Sequence, residues 1–149
     1  MALSYDTFIG AFLSKVTEFE FLKLDEENRD ELISGYMKRA IAAFKKNCKY
    51  DLGGTQDDFL REFDVDVDPS DLDELIDIIS DGMVVQWLKP YVNQQENLQN
   101  AISTRDFSVY SPAELLMRVG NAYEKAQKDF TQAIREYSFN HGDLKSLHL

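Results

Sequence analysis

The alternation of apolar and polar positions divides the chain into helical stretches, and it is most regular from Ser111 to Tyr137. There Leu115, Val119, Ala122, Tyr123, Ala126, Phe130, Ala133, Ile134 and Tyr137 recur at three- and four-residue steps. That spacing lays one apolar stripe along a helix of roughly 40 Å, at a rise of about 1.5 Å per residue. Ser111 as N-cap, Pro112 at the first helical position and Glu114 in the capping-box position predict where it starts. Glu124 and Lys128, one turn apart on the exposed side, add roughly 0.3 kcal/mol. Asn140, His141 and Gly142 predict its end, because Gly142 can take the left-handed cap.

Shorter patterns precede it. Tyr5, Phe8, Ile9, Phe12, Leu13 and Val16 form a helical stripe that Ser4 or Asp6 can cap. Residues 18–24 read as a connector packing Phe19, Phe21 and Leu22. Asp25 opens a second helix, with Glu26 and Glu27 at its positive end and a core face of Leu32, Ile33, Tyr36, Met37, Ala40, Ile41 and Phe44. Asp51-Leu-Gly-Gly-Thr is expected to stop that helix with a glycine pair.

Phe63, Val65 and Val67 then alternate with Asp64, Asp66 and Asp68, the period of a short strand with one buried and one acidic side. A lone strand needs a partner, and a neighbouring subunit is one source of it. Asp68-Pro69-Ser70 opens a third helix, with Ser70 and Asp73 spaced as a capping box. Its core stripe is Leu72, Leu75, Ile76, Ile79, Met83 and Trp87, and Pro90 is expected to stop or kink it after Lys89. Tyr91 to Ile102 reads as a further helical piece using Leu98 and Ile102, and Arg105 to Tyr110 as a loop. The fold class expected is mainly α: a bundle of four to five helices with a long C-terminal helix, a short acidic arm or strand and an extended C-terminal tail. One domain spans 1–137, with 51–69 as an acidic insertion, and 138–149 forms an interaction tail.

Composition narrows the function classes. The length of 149 residues suits one domain, and 44% hydrophobic with 29% charged residues is an ordinary globular balance. No uninterrupted run of 18 apolar residues occurs, which argues against a membrane span. The start, Met-Ala-Leu-Ser-Tyr-Asp, lacks the basic region of a signal peptide. Cys48 is the one cysteine, so no intrachain disulfide or cysteine-based zinc site is expected, and a reducing cytosol is the natural setting. The net charge of −11 opposes binding to duplex nucleic acid, whose phosphates attract Lys and Arg. It does not prevent the protein from surrounding DNA without adhering to it.

Motifs for chemistry are sparse. Asp64-Val-Asp-Val-Asp68 resembles the start of a calcium loop, but Pro69 and Leu75 stand where an EF-hand needs Gly and Glu. His141 and His148 are the two histidines, and both lie near or beyond the end of the long helix. No phosphate-cradling glycine loop, nucleophile elbow or paired metal-binding histidines occurs, so no catalytic, metal or cofactor residue is expected.

Charge and the C-terminus are more informative. Residues 51–81 hold twelve acids against one base, Arg61. Asp73, Asp77 and Asp81 share one helical face, a repulsive arrangement unless it is solvated or meets a basic surface. Lys38, Arg39, Lys45, Lys46 and Lys49 form a segment free of acids, which complements the helix dipole and offers such a surface. Acidic and basic patches on different parts of a protomer favour head-to-tail contacts, which close into a ring when the rotation allows. Tyr137, Phe139, Leu144, Leu147 and Leu149 form an apolar end segment. It either docks back on its own domain or inserts into another polypeptide, where burial is worth roughly 25 cal/mol per Å² before ordering costs.

The layout resembles the small helical head–tail connector (adaptor) proteins of tailed bacteriophages. The resembling stretches are ELISGYMKRAIAAFKK, the variable loop after it, DLDELIDIISDGMVVQWLKPY, and AELLMRVGNAYEKAQKDF with its tail. The likeness is one of layout and length; the long insertion at 51–69 and the extended last helix depart from the simplest members. It implies a homo-oligomeric ring, dodecameric in such proteins, docked beneath the portal protein and receiving a tail or stopper protein below. DNA would pass through the lumen without specific binding, and no membrane, reaction or cofactor is implied. The setting would be the virion neck, with host cytoplasm during assembly. By that resemblance residues 138–149 grip the portal with Tyr137 as anchor. Another phage neck or tail-completion protein and an acidic helical regulator of a basic protein are the alternative functions.

Overall fold

The Ser4 hydroxyl accepts from the Asp6 amide at 3.2 Å and caps the first helix. The structure is a computed structural model that describes residues 3–16, 29–93 and 112–141. Among these residues there are four α-helices: α1 (Tyr5–Lys15), α2 (Arg29–Phe44), α3 (Pro69–Asn93) and α4 (Pro112–His141). Three two-residue strands, β1 (Leu3–Ser4), β2 (Gln56–Asp57) and β3 (Glu62–Phe63), form a small antiparallel sheet in the order β1-β3-β2. The mainly α class, the long last helix and the short strand are therefore as expected. None of these helices is long and apolar enough to cross a membrane.

α3 is the hub, packing against α1, α2 and α4. A helix covered on several sides must be apolar on several sides, and the single stripe expected for α3 is too narrow. Leu75, Ile79, Met83 and Trp87 are buried as that stripe requires, but so are Ile78, Val84, Val85 and Leu88 from other faces. Leu72 and Ile76 are only partly covered. Ser80, fully buried among them, keeps its hydroxyl satisfied by donating to the carbonyl of Ile76 at 2.6 Å.

Gly82 makes the crossing close. A Cβ there would lie 2.8 Å from the Ala40 Cβ of α2 and 2.8 Å from a Phe130 ring carbon of α4. Glycine at 82 thus lets three helices meet at one level, with Ala40 as the small partner opposite. Around it the core runs from Phe8 and Phe12 of α1 through Ile33, Met37 and Phe44 of α2 to Val119, Phe130 and Tyr137 of α4.

Two helix-boundary expectations need correction. α3 is capped by Asp68, whose carboxylate accepts from the Ser70 amide at 3.0 Å and the Ser70 hydroxyl at 2.9 Å. Ser70 is a donor to the cap, and those bonds hold the Asp68 carboxyl below its ordinary range. Of the two outcomes expected at Pro90, a stop does not occur, since the helix continues to Asn93. The proline deprives the Gln86 carbonyl of its helical donor. That loss falls where packing is strong, since Trp87 and Leu88 are buried and the Tyr91 ring meets Trp87 edge-on at 6.5 Å. The connector at 18–24, the start of the second helix at 25–28, and Leu98, Ile102 and the loop 105–110 lie outside the described residues.

The acidic arm is also corrected. Phe63 is fully buried in its own protomer, its ring 4.8 Å from Tyr5 and 5.7 Å from Phe8. Its strand partners come from the same chain: Leu3 and Gln56 both pair with Phe63, and Ser4 and Asp57 with Glu62. The ladder ends at Phe63. Val65 and Val67 lie outside it and pack, partly covered, against the core. No neighbouring subunit is needed to complete this strand.

Candidate functional site

The surface rather than a cavity carries the candidates, so each expected contact residue is placed in turn. Two of the five cations in the basic segment have partners within the protomer. Lys38 pairs with Asp58 at 2.8 Å, and Lys49 lies 3.7 Å from the buried Asp71, which also accepts from the Tyr50 hydroxyl at 2.6 Å. Lys45 and Lys46, past the C-terminal end of α2, are exposed and form no ion pair among the described residues. The acidic face divides similarly. Lys15 of α1 reaches Asp81 at 2.8 Å and Asp77 at 3.2 Å. Asp81 is half-buried, and burial pushes its carboxyl upward while Lys15 opposes the shift. Asp73 is exposed.

The expected ring charges thus reduce to Lys45, Lys46 and Asp73, with Asp77 shared. Lys38, Lys49 and Asp81 serve contacts inside the protomer. The Lys49–Asp71 contact also brings the end of α2 and the start of α3 together. The basic segment and the first turn of α3 are therefore neighbours, not opposite poles of the molecule.

At the end of α4, Tyr137 is a core residue. Its side chain is fully buried, its ring stands edge-on to Phe44 at 4.9 Å, and its hydroxyl accepts from the Lys49 amide at 3.1 Å. Burial pushes its pKa up to about 12. Tyr137 therefore pins α4 to its own domain and is not itself offered to a partner. Phe139, two positions on and roughly 200° around the helix, is 73% exposed. Leu144, Leu147 and Leu149 lie outside the described residues.

Two features escaped the hydrophobic pattern. The β2–β3 hairpin ends in Phe59, 94% exposed, and Leu60, 59% exposed. The tip is held firmly. The Asp57 carboxylate accepts from the amides of Phe59 at 3.0 Å and Leu60 at 3.1 Å, and Tyr5 donates from its hydroxyl to Asp58 at 2.8 Å. Lys38 and that Tyr5 bond hold the Asp58 carboxyl below its ordinary range, while burial and Asp58 together push the Tyr5 hydroxyl up. Arg61 closes the turn in the left-handed region at φ 54°, a conformation that costs an L-residue about 1 kcal/mol or more. Its carbonyl accepts from the Tyr5 amide at 3.0 Å. The signal in the sequence was an apolar pair set between two acids and Arg61, out of step with the alternation that follows.

The second feature is a cleft of about 200 Å³ where α1, α3 and α4 meet. Val84, Ala122 and Ala126 make its floor, and Lys15, Asp81, Lys125 and Asp129 its rim. Alanines one turn apart on α4 leave space that larger residues would fill. Among the described residues, no three His, Cys, Asp or Glu side chains converge as a metal site. In comparisons with known proteins, no family, no curated relative and no solved structure matches this chain.

Proposed function

We propose that this protein is a virion structural component, a head–tail connector or adaptor that forms a ring beneath a portal protein and joins it to a tail or stopper protein, with DNA passing through the lumen. The observation that carries the reading is at the end of α4. Tyr137 anchors the helix in the core while Phe139, two residues on, is exposed, and the sequence beyond carries Leu144, Leu147 and Leu149. A polypeptide that needs to grip a partner without loosening its own fold requires such a division. The exposed Lys45 and Lys46 and the exposed Asp73 supply charges of both signs for contacts between copies. The net charge of −11 suits a lumen that DNA traverses without sticking.

Native mass spectrometry of the full chain, alone and with portal protein, tests this. The expected result is a closed multi-copy assembly that binds portal. A chain shortened after His141 keeps its helical content and loses portal binding. Double reversal, Lys45→Glu with Lys46→Glu, weakens assembly without changing the fold. A protein that stays monomeric at high concentration and with portal present refutes the connector reading. One observation favours a second reading, an acidic helical regulator: Asp73 on α3 is exposed and forms no ion pair among the described residues. A regulator gives a soluble one-to-one complex with a basic protein and no ring.

A further inference from the structure

The hairpin tip and the three-helix cleft lie at opposite ends of α1. β1, directly before α1, pairs with β3, and Tyr5 at the first turn bonds Asp58 of the hairpin at 2.8 Å. Lys15, the last residue of α1, is on the rim of the cleft. The 11 residues of α1 separate the two features by about 15 Å, and the sheet and side-chain bonds fix the hairpin in place. A protomer therefore cannot fill its own cleft with its own hairpin.

The geometry points to a knob-and-hole contact between copies of this chain: Phe59 of one protomer enters the cleft floored by Val84, Ala122 and Ala126 of the next. This rests on the self-assembly proposed above and names the contact that performs it. Size fits, since a cavity of roughly 150 Å³ admits a benzene ring and this cleft has about 200 Å³. Charge fits as well. Among the described residues neither Asp57, which flanks the tip, nor Lys125, on the rim, forms an ion pair. Asp129, one turn along α4 from Lys125, can meet Arg61, which is held only loosely by Asp6 at 3.6 Å. Asp81 is already neutralised by Lys15 at 2.8 Å, so the cleft does not repel an acidic hairpin through that residue.

A knob and a hole on different parts of one surface make a heterologous contact, which propagates until it closes. An exposed phenylalanine seated in an apolar hole is also the kind of central anchor that dominates interface energetics.

The test uses the full-length protein in sedimentation velocity across a concentration series, with circular dichroism to confirm folding. Phe59→Ser removes the knob, and Ala126→Trp fills the hole. Ala122→Gln is a gentler filling in case the tryptophan variant fails to fold. Each variant alone is expected to self-associate at least tenfold more weakly than the natural chain, a change of about 1.4 kcal/mol. An equimolar mixture of a knob-less and a hole-less variant retains one productive interface, so it yields heterodimers and nothing larger. Undiminished assembly of Phe59→Ser overturns the knob while leaving the ring reading intact. Assembly lost on filling the cleft but kept in Phe59→Ser assigns the cleft to another segment, such as 144–149, and overturns the hairpin as occupant. A natural chain that never self-associates overturns both this contact and the ring.

Discussion

Replacing Gly82 by alanine sets two effects of opposite sign against each other at one atom. In a solvent-facing helix interior the change stabilises by roughly 1 kcal/mol, because glycine gives up more backbone freedom on folding. At position 82 the new methyl would stand 2.8 Å from the Ala40 Cβ and 2.8 and 2.9 Å from two Phe130 ring carbons. The ring, 8% exposed, lies at the end of a rotatable side chain and can yield. Ala40 has no such freedom: its Cβ moves only if the backbone of α2 moves. Overpacking of this kind costs about 1–3 kcal/mol, and the rigid neighbour places it in the upper half of that range. The net expectation is a loss of about 1–2 kcal/mol, or about 3–6 °C in Tm for a domain of this size.

Urea titration read by fluorescence of Trp87, the one tryptophan and 1% exposed on the same helix, gives the measurement. Gly35→Ala in α2 is the control, since a Cβ there meets nothing within 4 Å. It should move the midpoint the other way, by about 0.5–1 kcal/mol. If Gly82→Ala matches or exceeds the natural chain in stability, with an unchanged m value, the close three-helix crossing is wrong.

Other expectations follow from the same contacts. Phe63→Ala should cost about 3–5 kcal/mol by urea titration, as a core deletion does; a change within about 0.5 kcal/mol would return Phe63 to an exposed arm. Tyr137 carries a folded pKa of about 12 against an ordinary 10.0. A raised value means that its contribution is complete below pH 10 and is lost as pH rises from 10 toward 12. Tyr137→Phe should therefore flatten the fall in stability over that window, and at neutral pH should cost about 1 kcal/mol for the lost acceptor of the Lys49 amide. The slope will not vanish, because the Tyr5 hydroxyl is also pushed upward. Asp68→Ala should lower the urea midpoint at neutral pH. Because the Asp68 carboxyl is held below its ordinary value, the deficit should shrink as the pH falls through that depressed range.

What the sequence by itself determined is local. Helix type and position follow from periodicity that repeats over many residues, so α1, α2 and α4 were legible with most of their buried faces. Phe130 needed no neighbour to be identified as core, but the choice of Ser4 over Asp6 as cap and of core over partner anchor for Tyr137 came from the structure. Tertiary structure decided everything that depends on how many neighbours an element has. α3 is apolar on several faces because three helices cover it, a fact no single stripe encodes. Pro90 stays within α3 because packing of Trp87 and Tyr91 outweighs one lost hydrogen bond. Phe63 found its strand partners at Leu3 and Gln56, far from it and close to it in sequence, and became core instead of an offered arm. Lys38, Lys49 and Asp81 read as free surface charges, yet each has an opposite charge brought to it from another element. Phe59 was passed over because exposure of a lone aromatic in a turn is settled by where the hairpin points, which only the assembled domain defines.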